Sequence, residues 1–151
     1  MAYWLMKSEP DVFSIDDLKR KKREVWDGVR NYQARNYLRS MQAGDEILFY
    51  HSSCAVPGVA GIARIRRGAF ADPTQFDPRS EYHDAGSKPE DPRWSAVEVE
   101  FVRKLKTPLP LELLKTLPEL SELALVKRGN RLSVMPVSET QWSAIVGLSP
   151  G

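Results

Sequence analysis

The sequence is poor in the residues that form disulfides and zinc sites. It contains one cysteine, Cys54, and two histidines, His51 and His83. A single cysteine cannot form an internal disulfide, and together with two histidines it is too small a set for a structural zinc site. We therefore expect no disulfide, no metal site and no cofactor.

Long hydrophobic runs are missing as well. The longest apolar stretches, such as residues 47–50 and 123–126, fall far short of the ~20 residues that a membrane-spanning helix needs. The first ten residues, MAYWLMKSEP, lack the basic-then-apolar order of a signal peptide. The sequence therefore predicts a protein without a membrane partner that remains where it is made.

The common catalytic motifs do not occur. The sequence has no Walker A loop, G-x-S-x-G elbow, H-E-x-x-H pair or complete G-x-G-x-x-G turn, which excludes the common nucleotide, hydrolase and zinc-protease classes. The nearest catalytic candidate is HSSC at residues 51–54, but a strand leading into a loop does not by itself bring a thiol and an imidazole face to face. We interpret His51 as a structural or pocket-lining residue and expect no catalytic residue.

The net charge is only +2, but the basic residues are clustered. Residues 19–23 form an unbroken KRKKR block, and clusters of this kind bind phosphate groups. A solvated helix face has the same composition, and a nuclear import signal is a third interpretation. The predicted phosphate-binding residues are Lys19, Arg20, Lys21, Lys22, Arg23 and Arg35.

What the sequence does contain is the composition of one globular domain, which we expect to span residues 1–151. Hydrophobic residues make up 42% of the chain and charged residues 28%. Periodicity predicts helices that begin after Ser14, Asn31 and Ser138, and two short leucine-rich helices separated at Pro118. Strands of a mixed or mostly antiparallel sheet are predicted at residues 3–8, 46–52, 58–67, 95–105 and 131–136.

Residues 68–94 form the longest segment without periodicity. They contain four prolines. A connection of this length in a compact domain is typical of a cover over a functional site or of a mobile loop.

Polar and aromatic residues cluster at the predicted strand ends and in the turn after residue 25, where binding groups can converge on a rigid scaffold. Trp26 offers a stacking face, and serine, asparagine and lysine side chains can hydrogen-bond the edge of a flat heteroaromatic ligand. A core position is an equally good interpretation of Trp26, whereas Trp4 and Trp142 are predicted to lie in the core. The candidate ligand-binding residues are Lys7, Ser8, Trp26, Gly28, Val29, Arg30, Asn31, His51, Ser52, Arg131 and Ser133.

Several longer motifs extend this interpretation to the whole chain. They are YWLMKSEP, VWDGVRNYQARNYLRSM, GDEILFYHS, PGVAGIARI, DPRW and RLSVMPVSETQW, in order from residue 3 to about residue 148. Together they closely resemble the EVE domain family. The sequence departs from the family pattern at His83 and Ala85, where the family loop reads closer to Tyr-Asp-Pro.

The resemblance implies an α+β fold of the PUA-like type, a curved mixed β-barrel surrounded by short helices. It also implies kinship with YTH domains, which enclose methylated adenine of RNA in an aromatic cage, with Trp26 in the place of one cage tryptophan. The segment after Ser52 contains no second cage tryptophan. EVE domains are regarded as readers of modified bases, particularly methylated or hydroxymethylated cytosine in DNA, with RNA as a further ligand class.

The resemblance therefore predicts a non-catalytic reader that extrudes a modified base into a polar pocket with an aromatic wall. We expect a monomer whose partner is nucleic acid containing modified bases, located in the cytoplasm on a bacterial nucleoid or in a eukaryotic nucleus. Two alternatives stay open. One is an enzyme or accessory for a modified nucleoside with His51 as general base, and the other is an adaptor that binds a protein through residues 72–94.

Overall fold

Residues 1–149, which the computed structural model describes, form six β-strands and four α-helices. The strands are β1 (Tyr3–Ser8), β2 (Arg23–Trp26), β3 (Glu46–His51), β4 (Gly58–Ala71), β5 (Ser95–Pro110) and β6 (Val134–Val137). The helices are α1 (Ile15–Lys21), α2 (Tyr32–Ser40), α3 (Leu111–Leu114) and α4 (Glu139–Val146), with short 3₁₀ turns at Pro73–Phe76, Pro118–Leu120 and Ala124–Val126.

The strands belong to one mixed sheet in the order β2-β5-β4-β3-β1-β6. β1 and β3 run parallel, with Tyr3 opposite Glu46 and Ser8 opposite His51, while the other neighbours are antiparallel. Since parallel strands end at the same edge of a sheet, the residues after β1 and β3 lie side by side.

Each face of this sheet packs against its own core, and one strand contributes to both because its successive side chains point to opposite faces. In β1, Trp4 and Met6 lie in a core that α1 and α2 cover, whereas Leu5 lies in a second core beneath α3, α4 and the later 3₁₀ turns. The two tryptophans predicted to be core residues, Trp4 and Trp142, are 6% and 8% exposed.

The sheet is curved. The ladder between β4 and β5 shifts register at four points, and bulges of this kind bend and twist a strand pair. Helix α2 contacts β6 at one end of the strand order and β5 near the other end. The sheet therefore wraps around α2 and the core beneath it.

Three sequence predictions need correction. Residues 23–26 form β2, a strand that was not predicted, because Lys22 adopts a left-handed conformation (φ 73°) that ends α1 and reverses the chain onto β5. The KRKKR block is therefore split between the last turn of α1, its C-cap and a strand. The last strand begins at Val134, so Arg131 and Ser133 precede it, and residues 109–126 contain one short α-helix and two 3₁₀ turns.

No helix within residues 1–149 is long and apolar enough to cross a bilayer. In the same part of the chain, no three His, Cys, Asp or Glu side chains are grouped to hold a metal ion.

Candidate functional site

The carboxyl ends of β1, β2 and β3 border an open cavity of about 780 Å³. The backbone brings its walls together, because Ser52 N–H donates to the carbonyl of Ser8 (3.0 Å) and Lys7 N–H donates to the carbonyl of Ser133 (2.9 Å). Six predicted ligand-binding residues line it: Lys7, Ser8, Trp26, Ser52, Arg131 and Ser133.

Trp26 is half-buried and serves both the core and the cavity. One side of its indole packs edge-on against Phe49, with ring centroids 5.6 Å apart, and Phe13 packs against the same Phe49. The remaining surface of Trp26 borders the cavity. Both interpretations of Trp26 therefore describe part of its environment, and the packing fixes the indole in place.

Ser8 and Phe13 meet at the floor of the cavity. The Ser8 hydroxyl donates to the Phe13 carbonyl oxygen at 2.5 Å. Because its one proton is used there, Ser8 can offer a ligand only its acceptor lone pairs.

Five predicted residues do not line this cavity: Gly28, Val29, Arg30, Asn31 and His51. Asn31 is the N-cap of α2, where its side chain accepts from Ala34 N–H (2.9 Å). His51 Nε2 accepts from Ile15 N–H (3.1 Å) at the start of α1, and burial lowers the pKa of His51, which favours the neutral acceptor form. Both side chains satisfy helix N-termini, a use that needs the same chemical groups as ligand binding.

Arg30 is turned away from the cavity and fastens the loop formed by residues 72–94, named here the 72–94 loop. Its guanidinium donates to Asp72 Oδ2 (3.0 Å), to Thr74 Oγ1 (3.0 Å) and twice to the carbonyl oxygen of Tyr82 (2.8 and 3.1 Å). Arg30 therefore positions this loop beside the turn that follows Trp26.

Asp72 is the second fastening point. Its carboxylate is fully buried and accepts hydrogen bonds from Gly28 N–H (2.8 Å), Thr74 and Arg30. Burial alone would raise the pKa of Asp72, but the hydrogen bonds from Thr74, Gly28 and Arg30 together lower it below its ordinary value. The carboxylate is therefore held ionised at the base of the loop.

These contacts place Tyr82, which sequence reasoning missed, on the cavity. Tyr82 packs on Gly28 so closely that a Cβ at residue 28 would lie 2.7 Å from Tyr82 Cε2. Gly28 also has φ +78°, which a side chain would strain. The cavity thus has three aromatic residues, Phe13, Trp26 from β2 and Tyr82 from the 72–94 loop, and this loop is part of its wall.

Charged side chains of both signs surround the cavity. Lys7, Lys21 and Arg131 face four carboxylates that the sequence analysis did not select: Glu9, Glu24, Asp27 and Glu81. Other lining residues outside the predicted set are Val12, Phe13, Val25, Ser53 and Asn130. Most of the lining residues that were not predicted are sequence neighbours of a predicted one, and that proximity could have identified them. Glu81 and Tyr82 had no such signal, because they come from a loop without periodicity.

The predicted phosphate-binding residues divide into two groups. Arg20 pairs with Asp17 (2.6 Å) and Lys21 with Glu24 (3.1 Å), while Lys19, Lys22 and Arg23 are exposed and form no ion pair within residues 1–149. Arg35 lies apart from them, over the Tyr32 ring (4.8 Å), on a second cavity of about 460 Å³ that Arg39 and Lys88 also border.

Comparison with known proteins identifies the family. A model of the EVE domain matches residues 2–148. Mouse thymocyte nuclear protein 1 is 44% identical over 165 aligned positions, which cover 97% of this chain and 73% of the mouse protein.

Solved structures agree with this match. A Pseudomonas putida protein is 58% identical, with a TM-score of 0.96 over 97% of this chain and 99% of that chain. Human THYN1 in complex with 5-methylcytosine-containing DNA is 42% identical, with a TM-score of 0.92 over 98% of this chain and 97% of that chain. The predicted α+β, PUA-like fold is confirmed by these neighbours, and the chain belongs to the EVE domain family.

Proposed function

We propose that this EVE domain is a non-catalytic reader that binds DNA containing a modified cytosine and takes the modified base into the cavity bordered by Trp26 and Tyr82. The observation that carries the proposal is the meeting of these two aromatic side chains, from different elements, on one polar cavity. Aromatic rings stack on the faces of extruded bases. The complex of human THYN1 with 5-methylcytosine-containing DNA supports the ligand class.

The cavity is large enough to hold a single base. Its volume of about 780 Å³ falls in the range of small-molecule sites. Extrusion of a base costs a few kcal/mol, while stacking on an aromatic side chain contributes about 1–3 kcal/mol. Because these terms nearly cancel, net affinity depends on contacts with the DNA backbone.

Several cations are placed for backbone contacts. Lys7 and Arg131 line the cavity and form no ion pair within the described chain. Burial lowers the pKa of Lys7, a cost that an approaching phosphate would offset. Arg35 on the second cavity and the unpaired cations of the KRKKR block are candidates for phosphates farther along the strand.

The environment of His51 supports binding without catalysis. A general base needs a free lone pair directed at its substrate, and the Nε2 lone pair of His51 is used by Ile15 N–H. We therefore do not retain the enzyme alternative. Deleting the 72–94 loop cannot distinguish the adaptor alternative from a reader, because the deletion would also remove Tyr82 from the cavity.

The test is a fluorescence titration with short oligonucleotides that carry cytosine, 5-methylcytosine, 5-hydroxymethylcytosine or N6-methyladenine, in DNA and in RNA, at two salt concentrations. Trp26→Phe identifies the signal of the site among the four tryptophans, and Trp142→Phe is the matched control in the opposite core.

A reader predicts saturable quenching that favours a modified cytosine in DNA and disappears in Trp26→Phe. Equal, salt-sensitive binding of all the oligonucleotides would reduce the protein to a phosphate binder. Preference for the RNA series would assign the site to RNA.

A further inference from the structure

We propose that the Asp27 carboxylate accepts a hydrogen bond from the exocyclic 4-amino group of the bound base, and so selects cytosine-type bases over thymine and uracil. This inference rests on the proposed function and assigns one recognition step within it to a particular side chain.

Asp27 lies between the two points where the aromatic residues meet the turn. It follows Trp26 directly and precedes Gly28, on which Tyr82 packs, and all of Trp26, Asp27 and Tyr82 line the same cavity. The two aromatic rings offer surfaces to the faces of a base. A carboxylate in the turn that joins these two contact points is placed for the edge of the base, where the exocyclic groups are.

The second step is that Asp27 has no partner. Within residues 1–149 its carboxylate forms no ion pair and accepts no hydrogen bond from another residue. Its neighbours differ, since Glu24 pairs with Lys21, and Asp72 accepts from Gly28, Thr74 and Arg30. Asp27 is therefore an acceptor available to a ligand.

The local field makes a donor ligand favourable. Although the Asp27 side chain is exposed, partial desolvation by its surroundings raises the pKa of Asp27, and the charges of Asp72 and Glu24 raise it further, while Arg30 acts in the opposite direction. In the free protein the negative charge of an ionised Asp27 is therefore not fully balanced by nearby positive charge. A hydrogen-bond donor of the ligand would stabilise the carboxylate in a way that a second acceptor could not.

The chemistry of the bases turns this preference into selectivity. Cytosine presents the N4 amino group as a donor, whereas thymine presents the O4 oxygen as an acceptor at the same place. 5-Methylcytosine and thymine carry the same 5-methyl group, so stacking and the methyl contact are nearly equal for the two. The two bases therefore differ only at positions 3 and 4, on the edge that Asp27 would recognise.

The experiment measures dissociation constants of the wild-type protein and Asp27→Asn for three single-stranded DNA oligonucleotides that differ only in carrying 5-methylcytosine, cytosine or thymine at one position. One well-placed, charge-assisted hydrogen bond corresponds to roughly tenfold selectivity, so the wild type is expected to favour 5-methylcytosine by about tenfold. An asparagine amide both donates and accepts, so Asp27→Asn is expected to bring the ratio close to one.

Glu90→Gln is the matched control, because Glu90 is an exposed carboxylate of the 72–94 loop that lines neither cavity. It is expected to keep the wild-type ratio. Thermal unfolding of each variant verifies that the fold is retained.

The outcomes separate this inference from the function on which it rests. If the wild type binds 5-methylcytosine no better than cytosine, the proposed reader function fails. If the wild type prefers 5-methylcytosine to cytosine, but Asp27→Asn keeps the discrimination against thymine or Glu90→Gln loses it equally, the assignment to Asp27 is overturned.

Discussion

Two aromatic walls of the cavity, Trp26 and Tyr82, are held by different kinds of interaction. Trp26 stands on a strand and packs against Phe49 in the core, so apolar contacts fix it. Tyr82 is held through the 72–94 loop by the polar contacts of Arg30 and Asp72 and by its contact with Gly28. The first wall is therefore fixed by apolar packing on the sheet, while the second is fixed by polar contacts, among them those of one buried carboxylate and one guanidinium.

The largest effect should come from removing that carboxylate. Asp72→Ala leaves Gly28 N–H and Arg30 without their buried partner, which should destabilise the fold by about 3 kcal/mol. Hydrogen exchange should also increase across the 72–94 loop while β1 stays protected. Urea unfolding measures the first effect, with the exposed Glu90→Ala in the same loop as control. Equal stability of the two variants would show that the loop is held by other contacts.

The next largest effect distinguishes the two aromatic residues. Trp26→Ala should weaken binding of modified DNA by about 1–3 kcal/mol and also destabilise the fold, because the indole packs on Phe49. Tyr82→Ala should weaken binding with little change in stability, because Tyr82 is 37% exposed. Titration and thermal unfolding of both variants test this. A large stability loss in Tyr82→Ala would contradict the difference described between the walls.

A smaller effect is expected at the point where the walls meet. Gly28→Ala places a methyl group against Tyr82 at a residue with φ +78°, which should cost about 1–2 kcal/mol and displace Tyr82. Gly44→Ala is the matched control, since Gly44 has φ +96° and open space around its position. Both variants should lose stability, but only Gly28→Ala should lose affinity for modified DNA. Equal affinities of the two variants for modified DNA would show that the position of Tyr82 does not affect recognition.

The smallest effect concerns acidity. The pKa of Asp72 is lowered by folding, so its stabilisation is fully present above the unfolded value and is lost as the pH falls through the folded value. The pKa of Asp27 is raised, so its ionised form weakens the fold near neutral pH and its protonation relieves that cost. In urea unfolding between pH 7 and 3, the stability difference between wild type and Asp72→Asn should shrink. At pH 7 Asp27→Asn should be more stable than the wild type, and this difference should also become smaller as the pH falls.

The same contrast explains how much could be predicted from the sequence. The wall built on strands was predictable in part, because the strand of residues 3–8 and the capping residue Ser14 give local signals and Trp26 is a recognisable stacking residue, although the strand that carries it was not predicted. The other wall was not predictable, because Gly28 and Tyr82 are 54 positions apart in the sequence and Tyr82 lies in a segment without periodicity.

Two predicted ligand-binding residues do not line the cavity for a chemical reason. Asn31 and His51 carry groups that suit a ligand, but the same groups satisfy the first N–H groups of helices, and the sequence does not distinguish the two uses. β2 escaped prediction because its four residues are exposed or half-buried and therefore show no alternation.

The parallel pairing of β1 with β3 has an evolutionary consequence. Both strands deliver their following residues to one edge, where Ser8 and Ser52 are neighbours through a backbone hydrogen bond. Insertions or replacements just beyond that edge would alter the shape of the binding site while leaving every rung of the ladder intact. One scaffold could in this way acquire new base preferences through changes in short connecting segments, without passing through unfolded intermediates.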